Sequence, residues 1–588
     1  MLDLVIRNGL VVDGRGGAGR RADVAVTDGR VQVVGTVAER ARREIDAAGR
    51  VVAPGFVDVH THYDAQLFWD PGASPSPLHG VTTVVAGNCG LSLAPAHPGD
   101  VDFLVRMLSR VEAIPLESLQ EGVPFSWQSF PELLDAIDGM ELVPNVGYLA
   151  GHSAIRRAVM GERASTVAAS ATELRSMTEV LDEALAAGAL GFSSSTSATQ
   201  RDGDGAPTPP NWATPEEFVT LAGACASYPG TSLEFIPESS AYGFTPDDLD
   251  LMAAMSVAAG RPLNWNSVLL NYPAIPDLCD RQLASADAAR DAGGCVVPMI
   301  IPHNFRVRTD FLESDVGFRS IPGFDRVFSL DRDRRVRALA DPSVRAELRS
   351  HLEGARVGSN AMFRDALADQ LVSDTGDPSL APLIGCRVAD IASARGSDLV
   401  ETFFDLAVES RLEIGFVRYL APAGDAEQRA RRRRVLRDPR VVLGASDGGA
   451  HVRGVLNVEY STACFAELVR DDDVFTIEEL VQELADVPAR LYGLSGRGRL
   501  EPGAWADVVI FDPDVIAPSP VSLVRDLPGG AARLFSHGVG IDAVLVRGVE
   551  VVHCGTFTGA TPGRLLRSGR DTATTPAHGL LRRARAGR

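Results

Sequence analysis

The chain has 588 residues, of which 45% are apolar and 23% are charged. This composition is typical of globular proteins with a large core, and it excludes a disordered, fibrous or small disulfide-stapled protein. The 57 basic and 77 acidic residues give a net charge of −20, so we expect no nucleic-acid partner, because an acidic surface repels phosphate groups.

Membrane insertion and secretion are not expected. No apolar run reaches 18 residues, so we predict no membrane span and no membrane partner. The start, MLDLVIRNGLVVDG, alternates polar and apolar residues and does not resemble a signal peptide. The seven cysteines are odd in number and scattered, which does not indicate a disulfide framework. We therefore expect a cytoplasmic protein.

Both ends of the chain are predicted to be rich in strands, because apolar and polar residues alternate between glycine-containing turns. The segments with this pattern are 2–14, 22–35, 506–512 and 541–555. Since chain ends often lie close together, we predict one small β-sandwich domain built from residues 1–53 and 497–560. Residues 561–588 carry seven arginines and few apolar residues, and we expect a peripheral basic tail there.

The middle of the chain, residues 54–496, alternates short apolar runs with amphipathic stretches. The runs predicted to be buried strands are 81–87, 143–152, 188–194, 231–237, 261–268, 294–301 and 440–449. Thr214 and Thr476, each followed three residues later by a glutamate, predict helix starts. This alternation favours an α/β fold, most simply a (β/α)8 barrel. An Arg- and Asp-rich stretch near 303–380 breaks the rhythm and is interpreted as an insertion.

The sharpest motif is PGFVDVHTHYD at residues 54–64. His60 and His62 stand two apart at the predicted end of a strand, where alternate residues point to the same side. Two imidazoles at the mouth of a barrel can bind one divalent metal. The alternative is a pair of exposed polar residues at a strand end.

Several blocks in a fixed order resemble the amidohydrolase superfamily, and within it the N-acyl-D-amino-acid deacylases (D-aminoacylases). After PGFVDVHTHYD they include VTTVVAGNCGLSLAP (81–95), NVGYLAGHSAIRRAVMG (145–161), GALGFSSS (188–195), LGASDGGAHV (443–452) and RGRLEPGAWADVVIFDP (497–513). The resemblance covers most of residues 1–560. It implies a metal-dependent barrel with a small β domain, and a site for zinc or another divalent metal, with one or two ions.

The resemblance also implies a role for three further residues. Cys89 of GNCG is a metal ligand in the family, and this fits a chain that contains no lysine to form a carboxylated ligand. Asp447 of GASDGGAH corresponds to a metal-binding general base. His152 of GHSAIRR matches a position near the metal site, where it contacts or orients the substrate. A buried structural cysteine, a plain Asp-Gly-Gly turn and a buried structural histidine are the respective alternatives.

The sequence departs from the family at two metal histidines, on the fifth and sixth strands. Glu234 lies where the fifth-strand histidine belongs, and Asn264 and Asn266 lie near the sixth-strand position. We expect a remodelled site in which Glu234 is a metal ligand and one of the two asparagines offers a weaker oxygen. The alternative is that the second metal position is lost.

Candidates for substrate binding follow from the carboxylate of an N-acyl amino acid, which an arginine binds well. They are Arg453, Arg306, Arg308, Tyr272, His303, Asn264 and Asn266. For each of the arginines and for Tyr272, a surface or core position is the alternative.

The sequence therefore predicts a metal-dependent hydrolase of an amide C–N bond, with a small-molecule substrate such as an acylated amino acid or amine. One alternative is a single-metal hydrolase of a cyclic amide, an imide or a specialised metabolite. Another is a non-catalytic binding protein with the same fold, since fold alone does not determine function. The sequence leaves the oligomeric state open, with a homo-oligomer among the alternatives.

Overall fold

The computed structural model describes residues 1–577 except 198, 271–276, 313–317, 319–320, 355–363, 365–366 and 420–425. Its strands are β1 (Leu2–Val11), β2 (Arg20–Thr27), β3 (Arg30–Gly35), β4 (Ala41–Asp46), β5 (Val51–Pro54), β6 (Phe56–Asp58), β7 (Val81–Ala86), β8 (Asn145–Tyr148), β9 (Ala150–Gly151), β10 (Gly191–Ser195), β11 (Ser232–Ile236), β12 (Leu263–Trp265), β13 (Val296–Ile300), β14 (Arg306–Asp310), β15 (Leu371–Thr375), β16 (Ile414–Tyr419), β17 (Val442–Leu443), β18 (Val455–Leu456), β19 (Val508–Phe511), β20 (Ala517–Pro518), β21 (Ser522–Val524), β22 (Arg533–Phe535), β23 (Gly538–Val539), β24 (Ile541–Val546), β25 (Val549–His553) and β26 (Thr556–Phe557).

The α-helices lie mainly between the strands of the middle part. They are α1 (Val101–Val111), α2 (Leu116–Gly122), α3 (Phe130–Asp138), α4 (His152–Met160), α5 (Ala171–Ala187), α6 (Pro215–Ala224), α7 (Pro246–Ala259), α8 (Leu278–Asp291), α9 (Phe324–Phe328), α10 (Arg332–Ala340), α11 (Pro342–Gly354), α12 (Val388–Arg395), α13 (Leu399–Glu409), α14 (Ala426–Leu436), α15 (Tyr460–Cys464), α16 (Ile477–Val481) and α17 (Val487–Leu491). The predicted starts at Thr214 and Thr476 are confirmed, since each side chain accepts a hydrogen bond from the backbone three residues on. Within the described residues, no helix has the length and apolar character needed to cross a bilayer.

Strands from the two ends of the chain share one sheet. Its order is β26-β25-β24-β19-β5-β1-β2-β3, with β4 also paired to β1. The two ends meet where β19 runs antiparallel to β5, with Ile510 opposite Val52. Apolar side chains from both ends, including Ile6, Val24 and Val508, form a common buried cluster. The predicted boundaries of a separate small domain stay a prediction.

The middle of the chain forms parallel strands that are buried on both faces. One sheet has the order β6-β7-β8, and the other has the order β9-β10-β11-β12-β13-β17. Leu149 alone separates β8 from β9, and a parallel bridge between Thr61 and Gly448 links the chain after β6 to the chain after β17. Because parallel strands present their carboxyl ends at one edge, the loops after these strands come together.

The stretch interpreted as an insertion has its own core, and this core extends beyond residue 380. Strands β14, β15, β16 and β18 form a separate four-stranded sheet. Aromatic residues on both sides of the predicted end, including Phe311, Phe318, Phe403 and Phe416, form one buried cluster. The helix-rich segment up to residue 416 therefore packs as one unit with the sheet.

We expected a peripheral tail at residues 561–588. Up to residue 577, the chain instead packs against the rest of the protein. Leu565 and Leu566 are buried, and Leu565 pairs with Val146 beside β8. The Arg567 guanidinium donates a hydrogen bond of 2.7 Å to the Ala187 carbonyl at the end of α5. The two leucines supply apolar surface that docks the segment, although few of its residues are large and apolar. Residues 578–588 lie outside the described part.

Candidate metal centre

Four side chains converge at the carboxyl ends of three parallel strands. His60 and His62 follow β6, Cys89 follows β7, and Asp447 follows β17. The Cys89 Sγ lies 3.6 Å from His60 Nε2 and 3.8 Å from His62 Nε2. The Asp447 Oδ1 lies 3.2 Å and 3.8 Å from the same two nitrogens.

These separations suit a metal better than a set of direct hydrogen bonds. Ligand atoms around tetrahedral zinc stand about 3.3–3.7 Å apart, given Zn–N and Zn–S distances of about 2.0 and 2.3 Å. In the described part of the chain, His60, His62 and Cys89 form a group whose ligand atoms all lie within 4.8 Å of one another. Nitrogen and sulfur donors are the set that zinc prefers. The residues present therefore fit a divalent ion.

Backbone geometry explains how the Cys89 loop reaches this position. Cys89 itself has a φ of +59°, and the glycines on either side of Asn88-Cys89 have positive φ as well. A Cβ at Gly87 would lie 2.2 Å from the Leu149 carbonyl oxygen, so only glycine allows the loop to approach the next strand. The loop turns inward and directs the sulfur toward the histidines.

The Asp447 loop is held against the histidine segment by backbone hydrogen bonds. The His62 amide donates to the Gly448 carbonyl over 2.6 Å, and the Asp447 amide donates to the His60 carbonyl over 3.2 Å. A Cβ at Gly449 would lie 2.5 Å from the His62 carbonyl oxygen, which requires glycine in this turn. The Asp-Gly-Gly sequence thus brings the carboxylate to the imidazoles.

Burial sets the charge states of the ligand residues. The His62 ring is buried and next to His60, and its pKa falls to about 3. Neutral imidazole is the form that binds a metal. Burial opposes the charge on Asp447, but the hydrogen bond and charge of His60 outweigh it and lower the pKa of the carboxyl. Asp447 is therefore a carboxylate near neutral pH.

Glu234 lies in β11 with its side chain in the same interior. Its Oε2 accepts a hydrogen bond of 2.9 Å from the Cys89 amide, while Oε1 is buried and has no hydrogen-bond partner among the described residues. Burial raises the pKa of Glu234 to about 7, and the nearby His60 opposes this rise. A buried carboxylate oxygen without a partner is available to a ligand.

The two asparagines of β12 and the loop after it differ in position. The Asn266 amide nitrogen lies 3.2 Å from His60 Nε2, at the centre. The Asn264 side chain instead contacts Met299 and accepts a hydrogen bond of 3.3 Å from the Tyr492 hydroxyl. Of the two, only Asn266 has a contact with a cluster residue in the described structure.

Among the described residues, His152 and His303 form no hydrogen bond or ion pair with the cluster. Both ring nitrogens of His152 are engaged inside the protein, with Ser194 at 2.9 Å and Glu217 at 2.8 Å. His303 is buried, the charges of Arg432 and Arg306 act on it, and neither of its ring nitrogens has a hydrogen-bond partner in the described chain. Their roles stay predictions.

The arginine candidates for carboxylate binding are engaged by acidic side chains. Arg453 lies 3.2 Å from Glu117, Arg306 lies 3.1 Å from Glu459, and Arg308 lies 2.8 Å from Asp374. Tyr272 lies outside the described residues. A role in substrate binding stays a prediction for all four.

Two residues near the cluster escaped the sequence reasoning. The His62 Nδ1 lies 3.7 Å from the buried carboxylate of Glu112, at the end of α1. The His451 amide donates to the Glu112 carbonyl over 2.5 Å, and the Asp447 charge acts on the His451 ring. His451 could have been found from the sequence, because it stands four residues after Asp447. Nothing in the local sequence marks Glu112 as a site residue.

Comparison with known proteins agrees with this arrangement. The family model described as "Amidohydrolase family" matches residues 43–552. The chain belongs to the amidohydrolase family. It is 29% identical to the N-acyl-D-glutamate deacylase of Alcaligenes xylosoxydans xylosoxydans, over 98% of each chain. It is 27% identical to the D-aminoacylase of the same organism, over 96% of this chain and 97% of the other.

A solved structure of this family supports the fold and the metal site. The N-acyl-D-glutamate deacylase of Bordetella bronchiseptica, complexed with zinc and a phosphonate inhibitor, matches with a TM-score of 0.65 and 27% identity. The match covers 96% of this chain and 100% of that chain. The α/β fold of this amidohydrolase is therefore that of a zinc-binding deacylase.

Proposed function

We propose that this amidohydrolase is a metal-dependent deacylase that hydrolyses the amide C–N bond of N-acyl-D-amino acids. One thiol and one carboxylate each lie within hydrogen-bonding to van der Waals distance of two imidazoles, at one edge of the parallel strands. This convergence is the observation that carries the proposal. The relatives with named activities, which match nearly the whole chain, support the substrate class.

We also propose that the parallel strands of the middle part close into a (β/α)8 barrel. The sheet built from the two chain ends lies at its side, and the domains have the boundaries predicted from the sequence. Eight strands follow in parallel if β8 and β9 count as one, and the Thr61–Gly448 bridge supports closure between the first and the last. Active sites of such barrels lie at the carboxyl ends of the strands, as this cluster does.

His60, His62, Cys89 and Asp447 would hold the metal, and Glu234 is the further ligand of the remodelled site. A divalent ion bound there supplies Lewis-acid chemistry to the scissile amide. We propose a single ion as the working site, since Glu234 and Asn266 stand near the positions of two family histidines.

Asp447 moves the proton in this proposal. Its carboxylate is ionised and close to both histidines, so it can accept a proton from the attacking water and deliver it to the leaving nitrogen. Burial of His60, His62 and Cys89 limits access of bulk water and strengthens these electrostatic interactions.

A second candidate is hydrolysis of a cyclic amide or imide with one metal. The observation that favours it is the replacement of two family histidines by Glu234 and the Asn264–Asn266 segment. A non-catalytic ligand-binding role is the third candidate. A cytoplasmic location and the oligomeric state stay predictions of the sequence.

One experiment separates these candidates. Purified protein is analysed for metal, then assayed on a panel of N-acetyl-D-amino acids, their L-enantiomers and hydantoins, before and after chelation. We expect bound divalent metal, turnover of D-substrates and loss of activity on chelation. Turnover of hydantoins alone favours the second candidate, and metal-free protein of unchanged stability without turnover favours the third.

The ligand assignment is tested separately with Cys89→Ala. Removing the thiol takes away one of the donors, and we expect most of the bound metal to be lost. The matched control is Cys386→Ala, because Cys386 is exposed and outside the cluster. Equal metal content in both variants would exclude Cys89 as a ligand.

A further inference from the structure

A cavity opens at the carboxyl ends of β10 and of β11, the strand that carries Glu234. It has a volume of about 260 Å³, and its lining includes Gln200, Arg201, Trp212 and Glu238. Ser197, Gln200 and Trp212 of this lining come from the chain after β10, and Glu238 follows β11. The cavity therefore lies at the same edge of the strands as the cluster of His60, His62, Cys89 and Asp447.

Gln200 joins the cavity to the metal centre. Its side chain lies near the Cys89 thiol. Only 8% of Gln200 is exposed, and its Oε1 is buried with no hydrogen-bond partner among the described residues. A buried acceptor that lines a cavity and lacks a protein donor is a position for a ligand or water donor.

The loop that carries Arg201 is well braced. The Asp202 carboxylate accepts hydrogen bonds of 3.0 Å from the Asp204 amide and 2.9 Å from the Ala206 amide. Asp204 in turn forms an ion pair of 2.6 Å with Arg106 of α1. These contacts fix the backbone on which Arg201 stands, so the guanidinium is presented from a defined position.

Arg201 differs from the arginines proposed earlier for carboxylate binding. It is exposed, and in the part of the chain that the structure describes it forms no ion pair or side-chain hydrogen bond. Arg306, Arg308 and Arg453, in contrast, already have acidic partners. A free guanidinium in a cavity next to the metal centre is suited to a carboxylate, which it binds with two parallel hydrogen bonds.

Glu238 places a negative charge in the same cavity. It is exposed and forms no ion pair with Arg201 or with another described residue. The lining thus carries one cation, Arg201, and one anion, Glu238. It favours a part of the ligand that has a single carboxylate, because Glu238 would repel a second one.

We propose that this cavity binds one carboxylate of the substrate on Arg201, and that Glu238 disfavours a second carboxylate on the same arm of the substrate. The inference rests on the proposed deacylase function and deepens it, since it selects N-acyl derivatives of neutral amino acids over acidic ones. The carboxylate belongs either to the amino acid or to the acyl group, and the experiment distinguishes these two sources.

The experiment compares wild type, Arg201→Gln and the control Arg21→Gln, an exposed arginine of β2 far from the site in sequence. N-acetyl-D-leucine carries a carboxylate on the amino acid, N-succinyl-D-leucinamide carries one on the acyl group, and N-acetyl-D-leucinamide carries none. We expect Arg201→Gln to raise KM at least tenfold for one carboxylate substrate and to leave the uncharged amide unchanged. The substrate affected identifies the source, and an unchanged KM for both carboxylates overturns the proposal.

Glu238→Gln tests the second half of the proposal. We expect it to lower the KM for N-acetyl-D-glutamate severalfold relative to that for N-acetyl-D-leucine, because the repelling charge is gone. An equal effect on both substrates would contradict the role of Glu238.

A binding measurement separates failure of this inference from failure of the proposed function. If wild type hydrolyses none of these compounds, the deacylase proposal fails, and calorimetric titration of zinc-loaded protein with N-acetyl-D-leucine and N-succinyl-D-leucinamide replaces the kinetics. Binding of either by wild type that weakens at least tenfold in Arg201→Gln supports the subsite. Equal binding by both proteins, or no binding by wild type, overturns it.

Discussion

The backbone amide of Cys89 donates a hydrogen bond of 2.9 Å to Glu234, although 145 residues separate the two in the chain. This bond links the loop after β7 to the interior of β11. It anchors the positive-φ turn that directs the thiol toward His60 and His62. In the proposed site, Glu234 would therefore position Cys89 and also offer a carboxylate oxygen of its own to the metal.

Glu234→Ala is expected to weaken metal binding about 10- to 100-fold, the usual loss when a residue that supports a metal ligand is removed. Glu234→Gln keeps an oxygen that can accept from the Cys89 amide and should lose less. Chelator competition measures the zinc affinity of each variant. Glu141→Ala, at an exposed position, is the control. If both Glu234 variants bind zinc like the control, the positioning role is wrong.

Asp447→Asn is expected to reduce kcat by at least about 100-fold, because the amide cannot accept and return a proton. Steady-state kinetics on an N-acetyl-D-amino acid checks this, with metal content measured in the same samples. A variant that retains metal but loses kcat identifies proton transfer as the task of Asp447. A variant that retains both metal and kcat rules it out as the general base.

Arg156→Leu is expected to destabilise the protein by about 3–5 kcal/mol, the cost of leaving a buried charge without its partner. The Arg156 guanidinium and Glu217 are both buried and in contact, and Glu217 also holds His152. Denaturant unfolding measures the loss.

The matched control for this buried pair is Arg326→Leu. Arg326 and Glu347 lie 2.7 Å apart but are exposed, and exposed pairs contribute little to stability. Equal losses in the two variants would show that the Arg156–Glu217 pair does not stabilise the region around His152.

The stability of the protein should fall in acid because His303 is buried in its neutral form. Burial, with Arg432 and Arg306 nearby, lowers the pKa of His303 to about 3, against about 6.5 in the unfolded chain. As pH falls below about 6.5, the unfolded state binds a proton that the folded state does not, and the free energy of unfolding decreases until pH reaches about 3.

This effect is measured as the change in unfolding free energy between pH 7.5 and pH 5. Wild type should lose about 2 kcal/mol more than His303→Gln, since each pH unit below 6.5 costs about 1.4 kcal/mol. His351→Gln, at an exposed position, should follow wild type. Parallel curves for wild type and His303→Gln would contradict the buried neutral state.

The sequence determined the local features of this protein. The two-residue spacing of His60 and His62 after an apolar strand predicted that they would share one side. Alternation of apolar runs and helices predicted the parallel strands, because burial on both faces leaves a continuous apolar run. These features depend on neighbours within a few residues of each other.

Only the tertiary structure decided which distant residues meet. Alternation along a strand cannot choose between Asn264 and Asn266, because residues two apart share a side. The structure places Asn266, just after β12, beside His60, and Asn264, within β12, against Met299 and Tyr492. The contacts of Cys89 with Glu234, of His62 with Glu112 and of His152 with Glu217 join separate loops and helices. Such contacts follow from the packing of the whole chain, which no local pattern encodes.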